Sequence, residues 1–209
     1  EIANVKVVKN LTEAIKNISK KKNLHLIHIS TDQVYNGKGL HTEDDVDPIN
    51  FYGKSKHMGE KEASKTNSTI LRVNFVGKSN KIGKKSLSDW IVESLRKKTK
   101  INVFKDVIFS PLHISNLCKN IALVIEKQLK GIFNLGSCDG ISKADFAFRL
   151  GKLLNLDEKL INPINFNQAK LLADRPLNMC MNVKKYEKMF KVSLGDVKEQ
   201  IILTANDYK

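Results

Sequence analysis

Residues 24–32 read LHLIHISTD, a short β-prone run that ends in two hydroxyl side chains and a carboxylate. Further β-prone runs at 69–74, 101–104 and 131–136 alternate with amphipathic segments of helical spacing. Strands that alternate with helices in this way build a parallel sheet with crossover helices. The sequence therefore predicts an α/β fold, in which the shorter and more irregular elements of the last third form a smaller C-terminal subdomain.

The composition excludes several classes of protein. The chain has 209 residues, 41% of them hydrophobic, which suits a globular protein with a sizeable core. No apolar run approaches the roughly 18 residues of a membrane span, and no signal-peptide pattern opens the chain. Three scattered cysteines form neither a disulfide framework nor a set of zinc ligands. We therefore expect a cytoplasmic protein with no membrane segment and no metal site.

The net charge of +14 suggests a polyanionic partner, but the residues that produce it argue against nucleic acid. The charge comes from 32 lysines and only four arginines, and the lysines are scattered over the whole chain. Proteins that read nucleic acids favour arginine, whose planar fork binds phosphate and guanine through two hydrogen bonds. We expect a lysine-rich surface and no nucleic-acid partner, with a polyanion as the alternative.

Polar or glycine-bearing sequences end three of the predicted strands, at 30–32 (STD), 72–74 (RVN) and 134–137 (NLGS). In open α/β sheets, ligands bind outside the carboxyl ends of the strands, so these side chains are candidates for a binding site. A plain turn is the alternative for 30–32, because Ser, Thr and Asp all favour turns.

A tyrosine and a lysine lie four residues apart at the start of a helix predicted over about 50–65. Residues four apart share a helix face, so the Lys56 ammonium can approach the Tyr52 phenol. A nearby cation and a helix N-terminus both stabilise a phenolate, which makes a phenol a better proton donor near neutral pH. With so many lysines such a pair arises readily by chance. Its position, just after the strand that ends in STD, is what gives it weight.

The pattern extends over six runs of the sequence, which are 28–39 (HISTDQVYNGKG), 43–63 (EDDVDPINFYGKSKHMGEKEA), 70–77 (ILRVNFVG), 106–114 (DVIFSPLHI), 131–137 (GIFNLGS) and 174–178 (DRPLN). Together they resemble the extended short-chain dehydrogenase/reductases. Within that superfamily the chain is most similar to the dTDP-4-dehydrorhamnose reductases and their sugar-nucleotide-binding relatives, and 174–178 is the run that favours the reductase branch.

The resemblance implies a Rossmann-like parallel sheet and a reductase that uses NADPH or NADH to reduce a keto-deoxysugar nucleotide, in dTDP-rhamnose and polysaccharide biosynthesis. Tyr52 would donate a proton to the substrate carbonyl oxygen, Lys56 would hold the nicotinamide ribose, and Thr31 would hydrogen-bond the same substrate oxygen. The residues implied to bind the cofactor are Ser30, Tyr52, Lys56, Arg72 and Asn74. Those implied to bind the substrate are Thr31, Asn74, Phe75 and Arg175, with Arg175 on the diphosphate.

The chain also departs from the pattern of this family. None of its 11 glycines forms the Gly-x-x-Gly-x-x-Gly turn that holds the dinucleotide pyrophosphate. We therefore expect that on the order of 80 residues before Glu1, with the first strands of the sheet, are missing from this chain. The remaining cofactor domain would then consist of 1–76 and 111–137, and the substrate-binding subdomain of 77–110 and 138–209.

Two alternatives to the reductase stay open. One is a non-catalytic sugar-nucleotide-binding relative, comparable to the regulatory subunit of methionine adenosyltransferase. The other is a nucleotide-sugar epimerase, which uses the same tyrosine, lysine and threonine. Gln33 stands where the related dehydratases carry an acid–base glutamate, which argues against dehydration. A homodimer is an option that the sequence leaves open.

Several other side chains are interpreted as structural. Trp90 is flanked by apolar residues at helical spacing, and we expect it in a core or in a contact between subdomains. The acidic residues at 43–47 are expected in a solvated loop. Cys118 and Cys180 show no pattern of an activated thiol, and we expect both to be buried.

Overall fold

The computed structural model describes residues 2–19, 23–81, 83–169 and 173–209. Its α-helices are α1 (Val7–Ser19), α2 (Phe51–Ala63), α3 (Leu87–Arg96), α4 (Ile114–Lys127), α5 (Lys143–Leu153), α6 (Lys184–Phe190) and α7 (Val197–Asn206). Its strands are β1 (Leu26–Thr31), β2 (Ser68–Val73), β3 (Phe75–Val76), β4 (Ile101–Phe104), β5 (Ile108–Phe109), β6 (Leu112–His113), β7 (Gly131–Leu135), β8 (Ile141–Ser142), β9 (Ile161–Ile164) and β10 (Asn178–Met179). These elements confirm the predicted α/β class.

The main sheet is parallel, with the strand order β1-β2-β7. Its register pairs Thr31 with Val73 and Val73 with Leu135, so the three strands end side by side at one edge. The segments 30–32, 72–74 and 134–137, which the sequence singled out, therefore meet there. Every residue of β2 is buried, because this strand lies between the other two and is covered on both faces.

A second group of strands lies in the other part of the molecule. It contains a three-stranded sheet of order β10-β5-β8, and β4 pairs in parallel with β9. The helices α3, α5 and α7 pack around these strands, and their apolar faces share one core that includes Ile91, Phe146 and Ile201. This group combines elements from residues 87–109 with elements from residues 141–206.

The core of the main sheet takes in part of the C-terminal chain. Met181, Tyr186 and Phe190 belong to the same buried cluster as Leu71 and Phe133. The ring centroids of Phe133 and Phe190 are 5.4 Å apart in an edge-to-face arrangement. The segment 181–194 was assigned to the substrate-binding subdomain, but it packs on the sheet of the other part. The division into two domains otherwise stays a prediction.

None of the helices within the described ranges has both the length and the apolar character needed to cross a membrane.

Candidate active site

The start of α2 is held against the turn that follows β1. Asn50 caps the helix, because its side-chain oxygen accepts a hydrogen bond of 2.8 Å from the backbone N–H of Gly53. A side chain at position 53 would collide with the backbone carbonyl of Gln33, so a glycine is required for this close approach. The first turn of α2, which carries Tyr52, is thereby placed beside the strand end at 30–32.

Lys56 lies one turn after Tyr52 on the same helix and is anchored to the sheet. Its Nζ donates a hydrogen bond of 2.6 Å to the carbonyl oxygen of Ile29 in β1. Burial lowers the pKa of Lys56, and the carboxylate of Glu60 partly opposes this shift. The Tyr52 side chain, 47% exposed, opens toward solvent. The structure thus presents an accessible phenol with an ordered cation one helical turn away.

Two adjoining cavities form a cleft at this end of the sheet. The outer cavity, of about 360 Å³, is lined by Gln33, Asn50, Phe51, Tyr52, Ala173, Asp174 and Arg175. The inner cavity, of about 190 Å³, is lined by Gln33, Asn74, Leu87, Trp90, Asn102, Val103, Phe104, Val107, Lys143, Arg175 and Met179. Gln33 and Arg175 line both, so the two cavities adjoin each other. Asn50 donates to the carbonyl of Asp174 (3.1 Å) and so ties the segment that carries Arg175 to α2.

The inner cavity combines an apolar wall with a few polar groups. Leu87 and Trp90 come from α3, while Val103 and Phe104 come from β4. Trp90 is 37% exposed and forms part of this wall, so its ring is not in a core, and the alternative of a contact between subdomains stays a prediction. Asn74 and Asn102 add amide groups. A flat, partly apolar ligand group of modest size fits such a cavity.

A buried carboxylate lies behind Asn74 at the strand end. The Asn74 amide donates a hydrogen bond of 2.5 Å to Asp32, and the Thr31 hydroxyl donates one of 3.2 Å to the same carboxylate. Burial raises the pKa of Asp32, and these hydrogen bonds together with the charge of Lys143 oppose the shift. Thr31 itself is buried and lines neither cavity. Its contact with a substrate oxygen stays a prediction.

Arg72 is engaged by protein groups on all sides of its guanidinium, and its part in cofactor binding stays a prediction. Its guanidinium is buried and donates to both carboxylate oxygens of Glu60, at 2.9 and 2.7 Å. It also donates to the Tyr35 hydroxyl (2.8 Å) and the carbonyl of Glu43 (2.6 Å). Ser30 donates its hydroxyl to the same Glu60 carboxylate, so this hydroxyl too is engaged in the network, and its contact with a cofactor stays a prediction. Both residues join β1 and β2 to α2.

One further expectation stays a prediction, and two need correction. Phe75 is half-exposed and lines a different cavity, together with Gly77 and Lys78, so its contact with the substrate stays a prediction. The acidic segment 43–47 is not simply a solvated loop, because the buried Glu43 accepts a hydrogen bond of 2.9 Å from the backbone N–H of Asn134. Cys118 is exposed, whereas Cys180 is buried as expected.

Two residues of this region escaped the sequence analysis. Glu60 continues the spacing of Tyr52 and Lys56 by one more turn, and that spacing could have identified it. Lys143 carries no signal of its own, since it is one lysine among 32 and follows an ordinary helix cap at Ser142. No group of three or more His, Cys, Asp or Glu side chains suited to a metal ion occurs within the described ranges.

The sequence model of the RmlD substrate binding domain family matches residues 1–209. This chain belongs to that family. It is 25% identical over 173 residues to the probable low-salt glycan biosynthesis reductase Agl14 of Haloferax volcanii, a match that covers 79% of this chain and 58% of that protein. It is 26% identical to methionine adenosyltransferase 2 subunit beta of Rattus norvegicus, over 78% of this chain and 52% of that protein. The chain therefore spans little more than half the length of these two relatives.

A longer match is to dTDP-4-dehydrorhamnose reductase of Aggregatibacter actinomycetemcomitans, 27% identical over 92% of this chain and 69% of that enzyme. Among solved structures, the fold is similar to dTDP-4-dehydrorhamnose reductase of Yersinia enterocolitica, with a TM-score of 0.87 and 24% identity over 100% of this chain and 74% of that one. It is also similar to the Bacillus anthracis reductase in complex with NADP, with a TM-score of 0.85 and 22% identity over 96% of this chain and 70% of that one. These similarities confirm the extended short-chain dehydrogenase/reductase-like fold.

Proposed function

We propose that this chain supplies the proton donor and the substrate-binding side of an NADPH- or NADH-dependent reductase that acts on a keto-deoxysugar nucleotide, of the dTDP-4-dehydrorhamnose reductase type. The observation that carries the proposal is the cleft. Tyr52 opens into its outer cavity, Arg175 stands where the outer and inner cavities join, and Lys56 lies one turn behind the phenol. The relative of Aggregatibacter actinomycetemcomitans, which matches 92% of this chain, supports the reaction class.

The order of the lining residues suits a nucleotide-sugar. The carbonyl carbon of the sugar would lie beside Tyr52, and the diphosphate would lie beside Arg175. The base would occupy the inner cavity, where Trp90 and Phe104 provide the apolar surface that a planar ring requires. Arg175 thus lies between Tyr52 and the apolar inner cavity. This arrangement matches the linear order of sugar, diphosphate and base in a nucleotide-sugar.

The protein's part in the reaction is proton transfer and orientation. Bound NADPH or NADH supplies a hydride, which forms the new C–H bond at the substrate carbonyl carbon. Tyr52 donates its phenolic proton to the carbonyl oxygen as negative charge develops there, and the product is an alcohol. The Lys56 ammonium stabilises the phenolate that Tyr52 becomes. Thr31 holds the substrate oxygen in position in this scheme.

The residues present fit one end of the cofactor. An ammonium has three N–H groups, and Lys56 uses one of them on the carbonyl of Ile29, so others can bind a ribose hydroxyl. Tyr52 and Asn74 line adjoining cavities, and Tyr52 would border the nicotinamide. The sequence contains no Gly-x-x-Gly-x-x-Gly turn, so this chain's residues account for the nicotinamide end and not for the pyrophosphate. The Bacillus anthracis reductase of similar fold is described in complex with NADP.

The test is carbonyl reduction with variants of α2. Tyr52→Phe removes the proton donor and keeps the ring, so we expect kcat to fall by about 10²–10⁴-fold with dTDP-4-dehydrorhamnose and NADPH. Lys56→Met should lower kcat as well, whereas Lys54→Met, which removes an exposed lysine of the same helix, should leave it unchanged. The measurement is the consumption of NADPH together with the identity of the sugar product. Undiminished reduction by Tyr52→Phe would contradict the assignment.

One relative favours a second candidate function. Methionine adenosyltransferase 2 subunit beta matches 78% of this chain at 26% identity, which supports a non-catalytic nucleotide-binding or regulatory role. In that case the protein would bind NADPH and nucleotide-sugars without consuming NADPH, and Tyr52→Phe would change neither affinity. The epimerase alternative predicts an isomerised sugar without net loss of reduced cofactor. The same product assay therefore separates all three functions.

Two broader expectations accompany the proposal. We place the protein in the cytoplasm, where nucleotide-sugars and NADPH are available. Its three free cysteines suit the reducing conditions there. We also retain the division into a cofactor-binding part and a substrate-binding part, with the segment 181–194 moved to the former because it packs on the main sheet.

A further inference from the structure

Lys143 places a second cation on the wall of the inner cavity. It is the first residue of α5, and Ser142 caps this helix by accepting a hydrogen bond of 3.0 Å from the backbone N–H of Asp145. The Lys143 ammonium lies 3.1 Å from the centroid of the Phe109 ring. Lys143 and Arg175 both line the inner cavity, where Lys143 is half-buried and Arg175 is exposed.

The cations of this cavity are poorly balanced by protein groups. Lys143 takes part in none of the ion pairs found among the described residues. The charged groups that face it are Asp32, at the end of β1, and Arg175. The Asp32 carboxylate is already engaged by Asn74 and Thr31. An anionic group of a ligand would supply the missing negative charge, because a confined cation is stable only when it is paired.

We propose that Lys143 and Arg175 together bind the diphosphate of the nucleotide-sugar, an assignment that rests on the function proposed above. Lys143 is thus a substrate-positioning residue of the inner cavity. The two cations hold the diphosphate between the base in the inner cavity and the sugar in the outer cavity. The sugar is thereby positioned relative to Tyr52.

The environment of Lys143 makes this binding depend on pH. Burial lowers the pKa of Lys143 to about 7, with Asp32 opposing this shift and Arg175 adding to it. In the free protein Lys143 is therefore mostly neutral at pH 8 and mostly charged at pH 6. A bound diphosphate favours the ammonium, so binding at pH 8 requires the uptake of a proton, and affinity falls as the pH rises above about 7.

Calorimetric titration with dTDP-glucose measures this proton directly. The diphosphate of this probe is esterified at both ends, so it lacks the terminal phosphate that titrates near pH 6 and would release protons of its own. Titrations in two buffers of different ionisation enthalpy give the number of protons taken up. We expect about half to one proton per bound ligand at pH 8 and close to none at pH 6.

Two substitutions separate charge from packing. Lys143→Met should weaken the binding of dTDP-glucose by about tenfold or more at pH 6.5 and abolish the proton uptake at pH 8. Lys143→Arg keeps a permanent charge, so it should retain most of the affinity at pH 6.5 while also abolishing the uptake. Lys152→Met is the matched control, because it removes an exposed lysine from the far end of α5, outside both cavities, and should change neither quantity.

The outcomes distinguish this inference from the proposed function. If the unmodified chain binds dTDP-glucose but Lys143→Met binds it equally well, the role of Lys143 is wrong and the proposed function stands. If Lys143→Met and Lys143→Arg lose affinity for dTDP-glucose equally, and circular dichroism shows that both are folded, then Lys143 has a packing role. That result would also overturn the role proposed for Lys143. If the unmodified chain binds no dTDP-glucose at all, both proposals fail.

Discussion

Replacing Glu60 with glutamine removes the negative charge that holds Arg72 inside the protein. Both side chains are only 1% exposed, and Arg72 donates to each oxygen of the carboxylate. Glutamine keeps the size of the side chain and one acceptor oxygen. Its amide, however, turns two N–H donors toward a guanidinium that needs an acceptor. The substitution therefore leaves a buried cation without a counter-charge.

The magnitude follows from this burial. Removing one partner of a buried ion pair costs about 3–5 kcal/mol, whereas an exposed pair contributes about 1 kcal/mol or less. Because glutamine can keep one of the two hydrogen bonds, we expect Glu60→Gln to lower the free energy of unfolding by about 3 kcal/mol. For a chain of this size each kcal/mol shifts the midpoint by about 2–4 °C, so Tm should fall by about 6–12 °C.

The assay is thermal and urea unfolding of the two proteins at pH 7 and at low pH. Burial raises the pKa of Glu60, but the hydrogen bonds and the charge of Arg72 outweigh it, and the pKa lies below its ordinary value. The carboxylate therefore stabilises the fold above about pH 4, and this stabilisation is lost as the pH falls through the lowered pKa. The difference between the two proteins should shrink accordingly.

A matched control is Glu93→Gln, which breaks an exposed ion pair. The side chain of Lys85 is 57% exposed and that of Glu93 is 42% exposed. It should cost about 1 kcal/mol or less. If Glu60→Gln costs no more than Glu93→Gln, the network that joins α2 to the sheet does not stabilise the fold.

Three further substitutions test the packing at two glycines and the electrostatics at one histidine. Gly53→Ala should destabilise the protein by about 1–3 kcal/mol in urea unfolding, because the added methyl group meets the carbonyl of Gln33. Gly151→Ala, in the interior of α5, should instead stabilise it by about 0.5–1 kcal/mol, because its methyl group would make only ordinary contacts and alanine favours a helix. Burial and the charge of Lys56 lower the pKa of His28 to about 4. As the pH falls below 6.5, His28 is therefore protonated in the unfolded chain but stays neutral in the folded protein. Stability should therefore fall by on the order of 2 kcal/mol between pH 7 and pH 5, and His28→Gln should flatten this dependence.

The outcomes that would contradict these predictions are equally direct. A stable Gly53→Ala variant would show that α2 can move away from the turn after β1. A destabilised Gly151→Ala variant would show that α5 is packed more tightly than the structure indicates. Unchanged stability of the unmodified protein between pH 7 and pH 5 would show that folding does not lower the pKa of His28.

The local sequence determined the elements of this protein and the residues on which its proposed chemistry depends. Alternation of β-prone and amphipathic runs was enough to predict parallel strands, because this periodicity reflects which faces are covered. The spacing of Tyr52 and Lys56 placed them on one face of α2, since helical geometry is local. The polar run at 30–32 marked the end of β1, since the change from β-prone to polar residues is also a local pattern.

Only the tertiary structure decided which polar side chains face the cleft. Arg72 resembles a ligand for a cofactor when it is read from a strand end, but Glu60, Tyr35 and Glu43 surround it from other parts of the chain. Lys143 resembles any of the 32 lysines until the cavity places it beside Arg175. Burial and pairing depend on residues that are distant in sequence and near in space, and no local pattern encodes them.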